Sequence, residues 1–283
     1  MTLALLATLT LVAVDAETVT YKTEPRDLVY YVYDALPAEE RSGKSRPAVV
    51  FFHGGAWING NPNQFEPYCK MLADRGLVGI TVEYRLKSKD DVLAVECVRD
   101  AWDAWEHVVA NAEAMGIDPQ RLGVGGGSAG GHIASCLGTG AFPPDDPRDT
   151  AGVSVMPAAM LLFNPGVCMA PFEGYQPVAW ENGTRERMGC DPADLSAMHH
   201  VADRGKDAPP TLIQHGSDDE VIAIRSVSLF VERLQQFGVK AELKAYPGRG
   251  HGFFNYGREP DHTDSIAVTE QFLTELGWIA AKD

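Results

Sequence analysis

Ser128 lies in a run of glycines, Leu122 to Ser135, that reads LGVGGGSAGGHIAS. The run fits two chemistries. Gly125 to Gly130 matches G-x-G-x-x-G, a loop that lets backbone approach a dinucleotide pyrophosphate. Gly126 to Gly130 matches G-x-S-x-G, a sharp turn that presents a serine hydroxyl. A dinucleotide loop opens the first strand–helix–strand unit and needs an acidic residue about 20 positions on, at a strand end. Here about three strands come first, and the acids at that distance, Asp145 and Asp146, sit in PPDDP, which cannot end a strand. The serine reading is therefore preferred, and no cofactor is expected.

A serine hydroxyl is a weak nucleophile until a base takes its proton. The imidazolium so formed needs a carboxylate, and the developing oxyanion needs backbone N–H groups. The chain offers each part in a loop after a strand pattern. HGGAW, with Gly54 and Gly55, follows AVVFF; HGSDDEVI, with Asp218 and Asp219, follows PTLIQ; and GRGHGFF, with His251, follows AELKA. The chain order is serine, acid, histidine, with a glycine-rich loop upstream, an order that goes with the G-x-S-x-G turn.

The surrounding elements suit that task. TVTYKT and LVYYVYDA alternate like an antiparallel pair. RPAVVFFHGG, LVGITVEYR, RLGVGGG, AAMLLFNPG, PPTLIQHGS and AELKAYPG are apolar runs ending in turn signals, as strands buried on both faces do. Between them Val92–Ala114 carries Val95, Val98, Trp102, Trp105 and Val109 at helical spacing. SVSLFVERLQQFG and DSIAVTEQFLTELGW are further helices, the first closing on glycine and the second with a glycine at its end. The expected fold is α/β: a mostly parallel central sheet with helices on both faces and an N-terminal antiparallel pair. One domain is expected over 17–283, with a short insertion around 166–207 above the C-terminal ends of the strands.

At pH 7 the formal charge is −15, from 39 acidic and 24 basic side chains, with no basic cluster. Such a surface repels nucleic acid and anionic membranes. Residues 1–16, MTLALLATLTLVAVDA, are too short for a comfortable membrane span but have the length and the small-residue end of a signal peptide, which points to a secreted or periplasmic protein. The five cysteines, Cys69, Cys97, Cys136, Cys168 and Cys190, show no metal spacing, and in an exported protein Cys168 and Cys190 are a pair that could be bridged. His199-His200 lack the spacing of a metal site, so no metal is expected. His53 is read as a loop brace and His132 as a structural histidine.

With these motifs in place, the chain resembles the α/β-hydrolase fold carboxylesterases with an HGG oxyanion loop, from Pro47 to about Gly257. Gly127 precedes the serine where the hormone-sensitive-lipase-like branch usually has Asp. With GGSAGGHIAS, SAMHHV and GRGHGFFNYG, this looks more like small secreted acetylxylan or feruloyl esterases. The resemblance implies Ser128 as nucleophile, Asp219 (rather than Asp218) as orienting acid and His251 as base. It implies Gly54, Gly55 and Ala129 as oxyanion donors and an ion pair between Arg85 and Asp100. Trp57 is left between acyl-pocket wall and loop anchor. The implied substrate is a small-molecule or oligosaccharide ester with a short or aromatic acyl group. A kynurenine formamidase-like amide hydrolase, or a non-catalytic binding protein on the same scaffold, are the alternatives.

Overall fold

Residues 15–148, 152–177 and 183–281 are described by a computed structural model of the chain. All but the last two residues of the apolar run 1–16, and the central part of the 166–207 stretch, lie outside them.

Eight strands form one sheet in the order β1-β2-β4-β3-β5-β6-β7-β8. They are β1 Glu17–Lys22, β2 Leu28–Tyr33, β3 Arg46–Phe52, β4 Val78–Val82, β5 Ile117–Gly127, β6 Met160–Phe163, β7 Thr211–Gly216 and β8 Ala241–Tyr246. β2 pairs antiparallel with both β1 and β4, and β3 through β8 run parallel to one another. This is an α/β-hydrolase arrangement with an antiparallel N-terminal pair. Because parallel strands need crossovers, their C-terminal ends all open on one edge, and the loops there face one another.

The run PAVVFF shows why the sheet is covered on both sides. Val50 and Phe52 point into one core, with Ile80, Val82, Trp102 and Trp105. Val49 and Phe51 point into another, with Phe65, Tyr68, Phe163 and Phe254. The two-residue period of a strand sends alternate side chains to opposite faces, so a continuous apolar run requires a helical layer on each. On the Val49 side lie helices α1 Glu66–Asp74 and α8 Asp261–Glu275. On the other side lie α3 Ala94–Ala110, α4 Ala129–Thr139, α6 Ala197–Arg204 and α7 Ile224–Gln236. Two short helices, α2 Lys87–Asp90 and α5 Thr184–Met188, sit in loops. α3 buries Val98, Trp102 and Trp105 completely, and truncating either tryptophan to Ala costs about 3–5 kcal/mol.

Arg85, just after β4, donates from Nε and Nη2 to the two carboxylate oxygens of Asp100 on α3, at 2.7 and 2.8 Å. Asp100 is fully buried and also receives Lys22 from β1 at 2.8 Å. The pair ties the sheet edge to α3, and deleting one partner would strand a buried charge.

One expectation is corrected. Cys168 and Cys190 are both free thiols, and the Cys168 S–H donates to the Ala170 carbonyl at 3.2 Å. Burial holds both protonated, pushing them up to about 12 and about 11. Lying in one segment does not bring two Cβ atoms within bridging reach. No helix among the described residues is long and apolar enough to cross a membrane.

Candidate active site

Three strand ends converge on Ser128. The residue ends the β5 turn at φ 54° and ψ −117°, a conformation sparsely used by non-glycine residues, and it caps α4. Its N–H is held by the Phe163 carbonyl at 2.9 Å and its own carbonyl accepts from His132 N–H at 2.9 Å. The turn demands a small neighbour at Gly130: a Cβ there would come within 2.0 Å of the Phe52 carbonyl oxygen. The strained elbow thus rests against the end of β3.

His251, in the loop after β8, stands with Nε2 2.9 Å from Ser128 Oγ and Nδ1 2.8 Å from Asp219 Oδ2. A carboxylate only accepts, so Nδ1 carries the proton and the Nε2 lone pair faces the serine hydroxyl. The other Asp219 oxygen accepts the N–H groups of Val221 and Ile222, each at 2.9 Å. Burial by itself pushes the Asp219 carboxyl up, but the His251 hydrogen bond, the Ile222 N–H and the nearby imidazoles hold it below its ordinary 3.8. Asp218 instead accepts from Ser217 Oγ at 2.6 Å. Of the two adjacent acids, only Asp219 meets His251.

The loop after β3 turns through three consecutive residues with positive φ: Gly55 at 120°, Ala56 at 55° and Trp57 at 61°. The turn is secured by Ile58 and Asn59 N–H bonds to the Gly55 carbonyl, and by Lys87 N–H on the Trp57 carbonyl. At Gly55 a Cβ would overlap the Asn59 carbonyl, 1.9 Å away.

Here the expected donor set is corrected. The Gly54 N–H is spent on the Gln64 side-chain carbonyl at 2.6 Å, so it is not available to an oxyanion. Glycine is required at 54 for room: a Cβ would stand 2.9 Å from the Gly127 carbonyl and 3.3 Å from Ser128 Cβ. Among the described residues the N–H groups of Gly55 and Ala56 donate to no protein acceptor. Ala129, first residue of α4, has no intrahelical acceptor either. All three border the space beside Ser128. Ala56 escaped the sequence reading because HGGA does not announce a left-handed alanine.

The histidines around this loop are braces. His53 donates from Nδ1 to the Gly54 carbonyl at 2.8 Å and stacks on Tyr84 with centroids 4.3 Å apart. His132 donates from Nε2 to the Leu195 carbonyl at 2.7 Å and meets Trp57 edge-on at 5.1 Å. Burial drives both imidazoles down to about 4, so they stay neutral. Trp57 therefore does two things: it anchors on His132 and it walls a pocket. His215 Nε2 donates to the Ile222 carbonyl at 2.8 Å and lies 3.5 Å from Asp219. His199 contacts the Ser196 hydroxyl and the Pro171 carbonyl.

Asn164, just after β6, also escaped the sequence reading. Fully buried at φ 37°, it accepts the Gly252 N–H on Oδ1 at 3.0 Å and so fixes the loop that carries His251. The signal was present in FNPG, since Asn tolerates left-handed backbone at a strand end.

Two pockets meet at Ser128. One, about 590 Å³ with the open solvent at its mouth, is mostly apolar, with Trp57, Val167, Met169, Val221 and Ile222 in its walls. The other, about 750 Å³ with the open solvent at its mouth, is bordered by His251, Asn59, Gln64 and Asn255. A neighbouring groove continues it past Asn61 and Asn63 to Tyr256, whose surface is 79% exposed.

The sequence profile of an α/β-hydrolase fold family matches residues 49–255. Among solved structures, the thermophilic esterase Est2 of Thermogutta terrifontis with propionate bound superposes with a TM-score of 0.84 at 36% identity, covering 95% of this chain and 97% of that one. The same enzyme phosphonylated by sarin matches equally, at 0.84 and 36%, over 94% and 97% of the two chains. The ethyl acetate hydrolase of Pseudomonas putida is 28% identical, over 85% of this chain and 77% of its own length. The Schizosaccharomyces pombe AB hydrolase superfamily protein C1039.03 is 28% identical over 72% of this chain, which spans 62% of that longer relative.

Proposed function

The chain belongs to the α/β-hydrolase fold family, and from that premise we propose that it is a carboxylic ester hydrolase working through an acyl-enzyme on Ser128. The observation that carries this is the hydrogen-bonded line Ser128–His251–Asp219 beside the unengaged N–H groups of Gly55, Ala56 and Ala129. His251 Nε2 takes the hydroxyl proton as Oγ adds to the ester carbonyl. Asp219, ionised and acceptor-only, stabilises the imidazolium. The tetrahedral oxyanion is held by the three N–H groups, helped by the positive end of α4. His251 then protonates the departing alcohol oxygen, the C–O bond breaks, and the same steps with water release the acid.

That proton transfer sorts the two pockets. The alcohol must leave beside His251, so the amide-lined pocket takes the alcohol and the apolar one takes the acyl chain. Short acyl groups suit its apolar wall, and the Est2 relative was solved with propionate and with butyrate. Amide side chains and an exposed tyrosine are suited to a hydroxyl-rich alcohol, with stacking on an aromatic face. This supports an acylated carbohydrate as substrate, met outside the cytoplasm if residues 1–16 act as an export signal.

The test compares kcat/KM on acetylated xylo-oligosaccharides, ethyl acetate and N-formylkynurenine. The proposal expects the acetylated oligosaccharide to exceed ethyl acetate by about tenfold or more. Equal values would remove the carbohydrate assignment and leave the esterase one. Preference for the formamide would overturn the ester reading.

A further inference from the structure

Among the described residues, the wall of the acyl-side pocket includes one charged residue, Arg187, and no carboxylate. Arg187 sits on α5 in the 166–207 stretch. Its Nη2 donates to Thr184 Oγ1 at 2.9 Å, one helical turn back, and its buried Nε has no partner. Among the described residues no carboxylate pairs with it. Most of the other arginines among the described residues pair with carboxylates, although Arg204 bonds only a backbone carbonyl. Arg46 holds Asp34 with both arms, Arg85 holds Asp100 likewise, and Arg148 bridges Asp103, Glu106 and Asp146. With 39 acidic side chains available, a guanidinium left unpaired in the wall of the substrate pocket points to an anion supplied from outside the chain.

We propose that Arg187, steadied by Thr184, binds a second carboxylate at the far end of the acyl chain, so that monoesters of aliphatic dicarboxylic acids are preferred substrates. The proposal rests on the esterase reading and adds the acyl class. Trp57, Val167 and Met169 supply apolar contact for the methylene chain, and their low polarity strengthens the charged hydrogen bonds beyond it. Water adds across the ester C–O bond as before, releasing the alcohol and the dicarboxylate, while the distal carboxylate is unchanged.

The experiment measures ethanol release from monoethyl succinate, glutarate and adipate against ethyl butyrate, valerate and hexanoate, paired by carbon number. The best hemiester exceeds its neutral partner in kcat/KM by about tenfold or more. In Arg187→Met this ratio falls about 10- to 100-fold, and Arg187→Lys recovers part of it. A wild-type ratio of one or below, or a ratio unmoved in Arg187→Met, overturns the proposal while turnover of ethyl butyrate keeps the esterase reading. Failure on every ester overturns both. Should the variants fold poorly, competitive inhibition of the wild type decides: free glutarate must inhibit at least tenfold more tightly than valerate, and equal inhibition contradicts the assignment.

Discussion

The side-chain carbonyl of Gln64 accepts the backbone N–H of Gly54 at 2.6 Å, while its Nε2 donates to Asn255 at 2.8 Å. One amide thereby joins the loop after β3 to the loop that carries His251. Gln64→Leu leaves a buried N–H unpaired, at about 1–3 kcal/mol, and loosens the proposed oxyanion loop. The expected result is a kcat for a short acyl ester about tenfold lower with KM little changed. Steady-state kinetics that match the wild type would show that the loop needs no such tie.

Gly55 tests the donor loop itself. Alanine there must accept φ 120° and a Cβ 1.9 Å from the Asn59 carbonyl, so the turn has to open. Gly55→Ala should lower kcat by about 10²-fold or more, the scale of one lost oxyanion donor, with a lower melting temperature. Unchanged kcat contradicts the placement of the hole.

Asp219 and Asp218 are adjacent, and only the first reaches His251. Asp219→Asn keeps the shape but removes the ionised acceptor that fixes the Nδ1–H tautomer, so kcat should fall by about 10³–10⁴. Asp218→Asn should leave it within about threefold. Equal losses in the two variants would contradict the assignment.

Stability should fall on the acid side before the carboxylates titrate. His53 and His132 are held at about 4 in the folded chain against an ordinary 6.5. The unfolded chain therefore binds more protons between those values, and stability drops as pH falls from about 6.5 to about 4. Between pH 7 and pH 5 each imidazole should cost on the order of 2 kcal/mol. Asp219 is shifted down from 3.8, so its contribution is present above that value and is lost only as pH falls further, through its lowered pKa. Urea unfolding at pH 7 and pH 5 checks this, and equal midpoints contradict it.

What the sequence made legible was set by short-range pattern. Continuous apolar runs ending in turns mark the parallel strands, and motif order puts Ser128, Asp219 and His251 after β5, β7 and β8, where the structure brings them into hydrogen-bond reach. What it concealed depends on partners distant in sequence or on backbone direction. The Gly54 amide is turned by Gln64 ten residues on. Ala56 and Trp57 take left-handed conformations that their residue types argue against. Arg187 stands out only once the pocket wall is assembled, because among the described residues that wall holds no carboxylate.

The central claim is that Ser128 is the nucleophile. Intact-protein mass after reaction with a fluorophosphonate, followed by peptide mapping, tests it most directly, since the Est2 relative was solved phosphonylated by sarin. The account predicts one adduct, on Ser128, absent in Ser128→Ala, with turnover of short acyl esters by that variant reduced by about 10³-fold or more. An adduct on another residue, or wild-type turnover by Ser128→Ala, would contradict it.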